Sequence, residues 1–463
     1  MAAASAVAVT FAVPAAAHTT EGGIVLLLPT AYYITGGTIV VALTFLLLRF
    51  VPVRLFHCLV RWRKRLGNWP ALPPLIGSSV SFAILVVLLT AGLIGSRDPL
   101  ANPLPLAIWT LFWIGLTILQ ALAGDIWAAI NPWVAPYRVI LRLLGRSADG
   151  EPLLRYPGWL GYWPAVLGFL AFGWFELVDP APADPERLAF AVVVYTDMTL
   201  VGMILFGERA WLSRAECFSV FLGFVARLSP LQRSGDARML AFPGTALAGA
   251  SPLPLGGVLF VLLTLSMVSF DGLDRTFWWL DLGGINPLDF PGRSAVMGQN
   301  SLGLLAMWAV LSGAYTAAIW LGQRLAGSVV DAGTAFGAFV LSILPISLGY
   351  HFAHYLTTLM VNGQYAILAL NDPFALGWNI FGFEGRHVIV SFLADFDSVA
   401  VIWKLQAAAV VLGHILALAI AHMIAVERYG ATRAAFLSQL PLAVLMVAYT
   451  LFGLWLLAAP SAG

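Results

Sequence analysis

Leu75 to Ile94 reads LIGSSVSFAILVVLLTAGLI, twenty residues without one charged side chain. A hydrocarbon layer about 30 Å thick is crossed by roughly 20 residues of helix. Lipid offers no partner to a free backbone N–H or C=O, so such a segment is read as a helix. Ten segments carry this signature, at residues 30–50, 75–94, 105–126, 159–178, 188–207, 253–270, 298–321, 333–357, 399–424 and 437–459. The composition agrees. Of 463 residues, 60% are apolar and 10% are Asp, Glu, Lys or Arg, against about 25% charged in an ordinary soluble domain. A soluble enzyme, a disordered chain and a nucleic-acid-binding domain are excluded, because no water-facing fold hides that much apolar surface. The expected fold is all-α, a polytopic transmembrane helix bundle of ten spans in a lipid bilayer.

The net charge of +1 says nothing about partners, but its distribution orients the chain. With the start of the first helix outside, the loops on the inner side hold 18 Lys and Arg residues and the outer loops hold 6. That asymmetry is the positive-inside pattern, and one missed span would scramble it. The expectation is a multi-pass membrane protein with its N-terminus outside. Cys58 and Cys217 then both face the reducing side, and two cysteines exclude a disulfide framework or an iron–sulfur site.

Residues 1–17 are Ala- and Val-rich and end Pro14-Ala15-Ala16-Ala17, which reads as a signal peptide lacking the usual basic start. Cleavage after Ala17 would make His18 an N-terminal copper chelate, its amine and imidazole together. Residues 18–463 then form one transmembrane domain. Its inner segment 208–250 contains an apolar run, Phe218 to Leu228, expected to lie at the interface. Its outer loops are 271–297 and 358–398, the longer of them suited to cap a site. Gly333-x-x-x-Gly337 can let two helices approach closely. No internal repeat, Walker A motif, dinucleotide fingerprint or nucleophile elbow is found.

Ionisable residues within spans are costly, so each is a functional candidate. In the outer half these are Glu176, Asp197, Asp271, His351 and His354. Asp197 lies roughly 13 Å into its helix with no basic residue near it in sequence. His351 and His354 share a helix face at i, i+3 spacing. With a carboxylate from another helix they can hold zinc, iron, manganese or copper. On the ninth helix His414 lies at mid-depth and His422 near the inner surface, about 12 Å apart along the axis. Asp125, before Asn131-Pro132-Trp133, is expected at the depth of His422, as a structural hydrogen bond or a second metal site. Bland readings stand beside these: Asp271 as a helix cap, Glu176 at the interface, and each histidine as a helix–helix contact.

Asp98-Pro99-Leu100-Ala101-Asn102, Gly124-Asp125, Asn131-Pro132-Trp133, Phe270-Asp271-Gly272, Ala353-His354-Tyr355, Gly363-Gln364, Gly413-His414 and Ala421-His422 occur in that order along the chain. Together they resemble a family of bacterial multi-spanning proteins labelled fenitrothion hydrolase, a membrane-bound organophosphorus hydrolase. The resemblance runs from about residue 90 to the C-terminus. It implies hydrolysis of a phosphotriester at its aryl-ester bond. The position of His351 is often apolar in that family, which moves weight to His354, His414 and Asp271.

Three functions follow as expectations. The first is a metal-assisted hydrolase of apolar phosphotriesters that reach the site from lipid. His354, His414, Asp271 and His351 would hold a divalent transition metal, and Asp197 or Glu176 would serve as base. The second is a transition-metal or proton-coupled permease, which needs a polar track joining the outer and inner groups. The third is a haem-binding or structural subunit, with a second membrane subunit as partner and His354 and His414 as haem ligands.

Overall fold

The computed structural model describes residues 23–68, 73–148, 150–289, 292–383, 385–430 and 432–460. The expected signal peptide and His18 lie outside the described residues.

Among the described residues, ten helices are long and apolar enough to cross a membrane. With two others that matter here, they run in chain order as follows. Helix α1 (Thr30–Leu48) is followed by the short amphipathic α2 (Val53–Arg61) and strand β1 (Arg63–Asn68). Then come α3 (Pro74–Ile94), α4 (Pro103–Ala123), α5 (Trp163–Leu177), α6 (Pro185–Phe206) and α7 (Cys217–Ala226). Strands β2 (Leu231–Ser234) and β3 (Ala237–Ala241) precede α8 (Leu255–Leu273), α9 (Arg293–Leu325), α10 (Ala332–Asn371), α11 (Phe396–Tyr429) and α12 (Arg433–Ala458). The chain is thus a multi-pass, all-α membrane protein, and the ten spans overlap the ten expected from sequence. Because consecutive spans alternate in direction, most cations fall at one end, called here the basic end.

Three sequence expectations change. The apolar run at Phe218 does not lie on the surface. Cys217, Phe218, Val220, Phe221, Leu222, Phe224 and Val225 are all buried, as befits a helix that is apolar on every side. The loop expected to begin at 358 is helical to Asn371. The strands were not foreseen: β1 and β2 flank β3 in a small antiparallel sheet at the basic end.

Helix α8 is the centre, buried along almost its whole length. Around it the spans close through small residues, the usual device where lipid provides no hydrophobic drive. A Cβ on Gly349 of α10 would sit 2.7 Å from the Ala409 carbonyl oxygen, and one on Gly413 of α11 2.7 Å from that of Pro345. Gly337 does serve close approach, but to a loop: its Cβ would meet the Leu253 carbonyl at 2.2 Å. Gly333, the other half of that motif, meets only Asp331.

Candidate functional site

The last turn of α8 delivers Asp271 at the end opposite the basic one. The last turn of α5 delivers Glu176, and α10 delivers the consecutive pair His354 and Tyr355. His354 Nε2 lies 3.0 Å from Asp271 Oδ2. The Tyr355 hydroxyl lies 2.5 Å from the same Oδ2 and 2.8 Å from Glu176 Oε1. A phenol has one proton for these two oxygens. Both contacts are hydrogen bonds only when the group shares a further proton. Glu176, Tyr355, Asp271 and His354 therefore form a proton-holding chain across three helices.

Exposure differs along this chain. The Asp271 side chain is 9% exposed and that of His354 33%. The imidazole therefore has one nitrogen against a buried carboxylate and an edge open to its surroundings. With the proton on Nε2, Nδ1 keeps a free lone pair. Gly272 helps keep this side clear, since a Cβ there would approach Nδ1 to 3.9 Å. Glu176 Oε2 and Trp113 Nε1 are both buried and make no well-formed hydrogen bond, and the indole N–H stands close enough to act on the Glu176 carboxyl.

The surroundings are charged. Arg293, on the first turn of α9, donates through Nη1 to the carbonyl oxygens of Glu176 (2.8 Å) and Asp179 (3.3 Å), closing the end of α5. Asp179 is paired with Arg187 at 2.5 Å. Just past α8, Asp274 is buried. Its Oδ2 accepts from Asn300 Nδ2 at 3.4 Å, and its Oδ1 has no partner. Burial pushes its carboxyl up to about 7, against the pull of Arg275 and with the charge of Asp271 adding to the rise. Asn300 is held in turn by Trp279 Nε1 at 2.8 Å.

The other expected residues stand elsewhere. His351 turns away from His354 and bonds through Nε2 to the Trp113 carbonyl at 3.1 Å. That carbonyl lies in the wide-turned stretch Leu106–Leu116 of α4. Turns of this type are often found at functional sites. His414 is fully buried; its Nδ1 is 2.8 Å from the Val410 carbonyl, its Nε2 has no partner, and Tyr350 is the ring beside it. His422 and Asp125 do not meet. His422 Nδ1 accepts from Gln439 Nε2 at 2.8 Å, and Asp125 Oδ1 accepts from Gln120 Nε2 at 2.8 Å and from the Ala128 N–H at 3.1 Å. Asp197 is exposed on α6 beside Met198 and has no hydrogen bond or ion pair among the described residues.

The sequence-named site therefore keeps Glu176, Asp271 and His354 and gains Tyr355, Trp113, Asp274, Arg293 and Asn300. Tyr355 had a signal, a hydroxyl beside a histidine inside a span. The Arg and Asn lie on α9, and nothing local marks them. Of the four residues expected to hold a metal, His354 and Asp271 alone touch, and among the described residues no three His, Cys, Asp or Glu side chains converge as metal ligands. A haem between His354 and His414 does not fit either. Their helices are in contact at Gly349 and Gly413, which leaves no slot for a macrocycle. No family model, curated protein or solved structure matches this chain.

Proposed function

We propose that the chain is a membrane-embedded hydrolase in which His354, oriented by Asp271, is the general base for attack of water on an apolar ester. Phosphotriesters are the substrate class that the family resemblance implies. The observation that carries this reading is an imidazole, one-third exposed, with Nε2 held by a buried carboxylate and Nδ1 making no hydrogen bond among the described residues. This is the pairing that orients a histidine base in hydrolytic sites.

The chemistry is as follows. Water attacks phosphorus and gives a proton to His354 Nδ1. A P–O bond forms, the bond to the aryloxide breaks, and the imidazolium returns its proton to the leaving oxygen. Asp271 stabilises the imidazolium. Arg275, whose charge acts on both Asp271 and His354, offsets negative charge on the phosphoryl oxygens. An uncharged triester dissolves in lipid, so a site at one end of the bundle can receive it from the bilayer. The positive-inside pattern supports reading that end as the outer one. Two converging donors are too few to derive a step through a metal.

The test is turnover of an uncharged p-nitrophenyl phosphotriester by the purified protein in proteoliposomes. His354→Ala is expected to lower kcat about 100-fold or more. Absence of turnover on apolar phosphotriesters and aryl carboxylic esters alike, or full activity in the variant, refutes the reading.

A proton-coupled permease is the second reading, favoured by the Tyr355 hydroxyl between two carboxylates. A pH-sensitive dye inside the same liposomes distinguishes it. Proton entry that Tyr355→Phe abolishes, without ester turnover, would replace the hydrolase.

A further inference from the structure

The basic end carries cations that the bundle leaves without acids. Arg54, Arg61, Arg63, Lys64 and Arg65 fall in the short run from α2 into β1, and β3 adds Arg238 opposite Gly67 of β1. Among the described residues none of these six has a carboxylate at ion-pair distance. Arg63 Nη1 donates to the Val60 carbonyl at 3.1 Å and Arg65 Nη2 to Asn68 Oδ1 at 2.6 Å, both local contacts that leave the charge unbalanced. Arg233 of β2 does have Asp236, at 3.6 Å. It also faces Arg238 directly across the β2–β3 pair, and like charges so placed repel.

Apolar groups accompany these cations. Trp62, at the joint between α2 and β1, and Phe242, just past β3, lie with ring centroids 5.3 Å apart. Both rings are exposed, and so is Leu66. The unit also sits at membrane level. Four residues separate α1 from α2, and Ser229 Oγ donates to the Leu122 carbonyl at 2.9 Å, tying the root of β2 to the last turn of α4.

We infer that the surface formed by α2, β1 and β3 binds the headgroups of anionic phospholipids. The guanidinium and ammonium groups take the phosphates, and Trp62 and Phe242 seat at the boundary between headgroups and acyl chains. An acidic protein or a free anion would satisfy the cations and leave the exposed rings unexplained. A lipid satisfies both.

Native mass spectrometry of the detergent-purified full chain, titrated with phosphatidylglycerol and with phosphatidylcholine, tests this. Phosphatidylglycerol is expected to bind preferentially, with about fivefold in affinity for each cation engaged. Arg63→Gln, Lys64→Gln and Arg65→Gln combined should lower its affinity on the order of 100-fold and leave phosphatidylcholine unchanged. The double variant Arg63→Lys and Arg65→Lys should retain it, which separates lost charge from lost fold. Should the triple variant not fold, the wild-type preference must instead fall with added salt. Equal binding of the two lipids, an unchanged triple variant that is folded, or displacement of the lipid by millimolar inorganic phosphate or by poly-glutamate would each overturn the proposal.

Discussion

Tyr355→Phe is the most informative single change, because it removes one oxygen and alters little in shape. That oxygen stands 2.5 Å from Asp271 Oδ2 and 2.8 Å from Glu176 Oε1. Hydrogen bonds to charged acceptors are worth about 1.5–3 kcal/mol each. Glu176 Oε2 has no well-formed hydrogen bond, so after the change the weaker approach of the Trp113 indole N–H is what that carboxylate keeps. Asp271 keeps His354 at 3.0 Å. The expected loss is therefore about 3 kcal/mol, nearer the sum for Glu176 than for Asp271. For a chain of this length the unfolding entropy is about 1 kcal/mol per degree, so the midpoint should fall by about 3 °C at pH 8. At pH 4.5 the loss should shrink, because a hydrogen bond to a protonated carboxyl is worth less than one to a carboxylate. The assay is thermal unfolding in one detergent at both pH values. Tyr365→Phe, at a hydroxyl with no hydrogen bond among the described residues, serves as control. A midpoint within 0.5 °C of wild type at pH 8, on the scale just used, would show that the Tyr355 bridge contributes nothing and remove the basis for a shared proton. An equal loss at both pH values would show that the variant acts through packing.

Two further changes probe the frame of the site. Asp274 is buried with its carboxyl raised to about 7, so its stabilising contribution is full below pH 4 and is lost as pH rises through 7. Asp274→Asn should flatten the fall in unfolding midpoint between pH 5 and 8 and leave the variant more stable than wild type at pH 8, and an unchanged pH slope would refute this. Gly413→Leu must push against the Pro345 carbonyl at a contact where even a Cβ would stand 2.7 Å away. It should cost about 1–3 kcal/mol and disturb the α10–α11 contact, read as a lower unfolding midpoint, whereas Gly223→Leu, with open space around it, should be far milder.

Much of the fold was legible because a span is a local property. Length and hydropathy suffice to place a segment such as Leu75–Ile94, and all ten spans were placed that way. Which way a span faces is not local. Asp271 and Asp197 both read as carboxylates in apolar helices. Asp271 ends a helix surrounded by protein, so it finds His354 and Tyr355. Asp197 falls on a stripe of α6 with the exposed Phe190, Val194, Met198 and Val201 and finds nothing. The choice depends on the packing of α5, α8, α9 and α10 around one another, which brings together residues such as Asp271 and Tyr355, 84 positions apart, and Glu176 and Tyr355, 179 apart. The same holds for α7, whose apolar run suits an interfacial helix and a buried one equally until its neighbours are known. The sheet escaped detection for a related reason. RKRLGN has no apolar alternation, and its pairing with Ala237–Ala241 joins segments separated by four spans.

The distribution of buried polar groups bears on which class of activity this bundle can serve. A coupled transporter needs groups that can pass a proton or ion from one end to the other. Below the Asp271–His354 pair, His414 touches Tyr350 and its own helix backbone, and the Tyr350 hydroxyl is committed to the Tyr449 carbonyl at 2.6 Å. Between His414 and His422, the buried residues of α11 are Ala417, Leu418, Ile420 and Ala421. On the facing side α10 is pressed against α11 at Gly349 and Gly413. Hydroxyl pairs do cross the middle, Ser269 with Tyr449 at 2.6 Å and Thr264 with Ser347 at 3.2 Å, but among the described residues no carboxylate joins them to His414 or His422. A hydrolase whose substrate and products share one side of the membrane needs nothing more, whereas a permease would need α10 and α11 to separate at the glycine contact. A cross-link between these two helices at the glycine level should therefore leave ester turnover intact and abolish any transport.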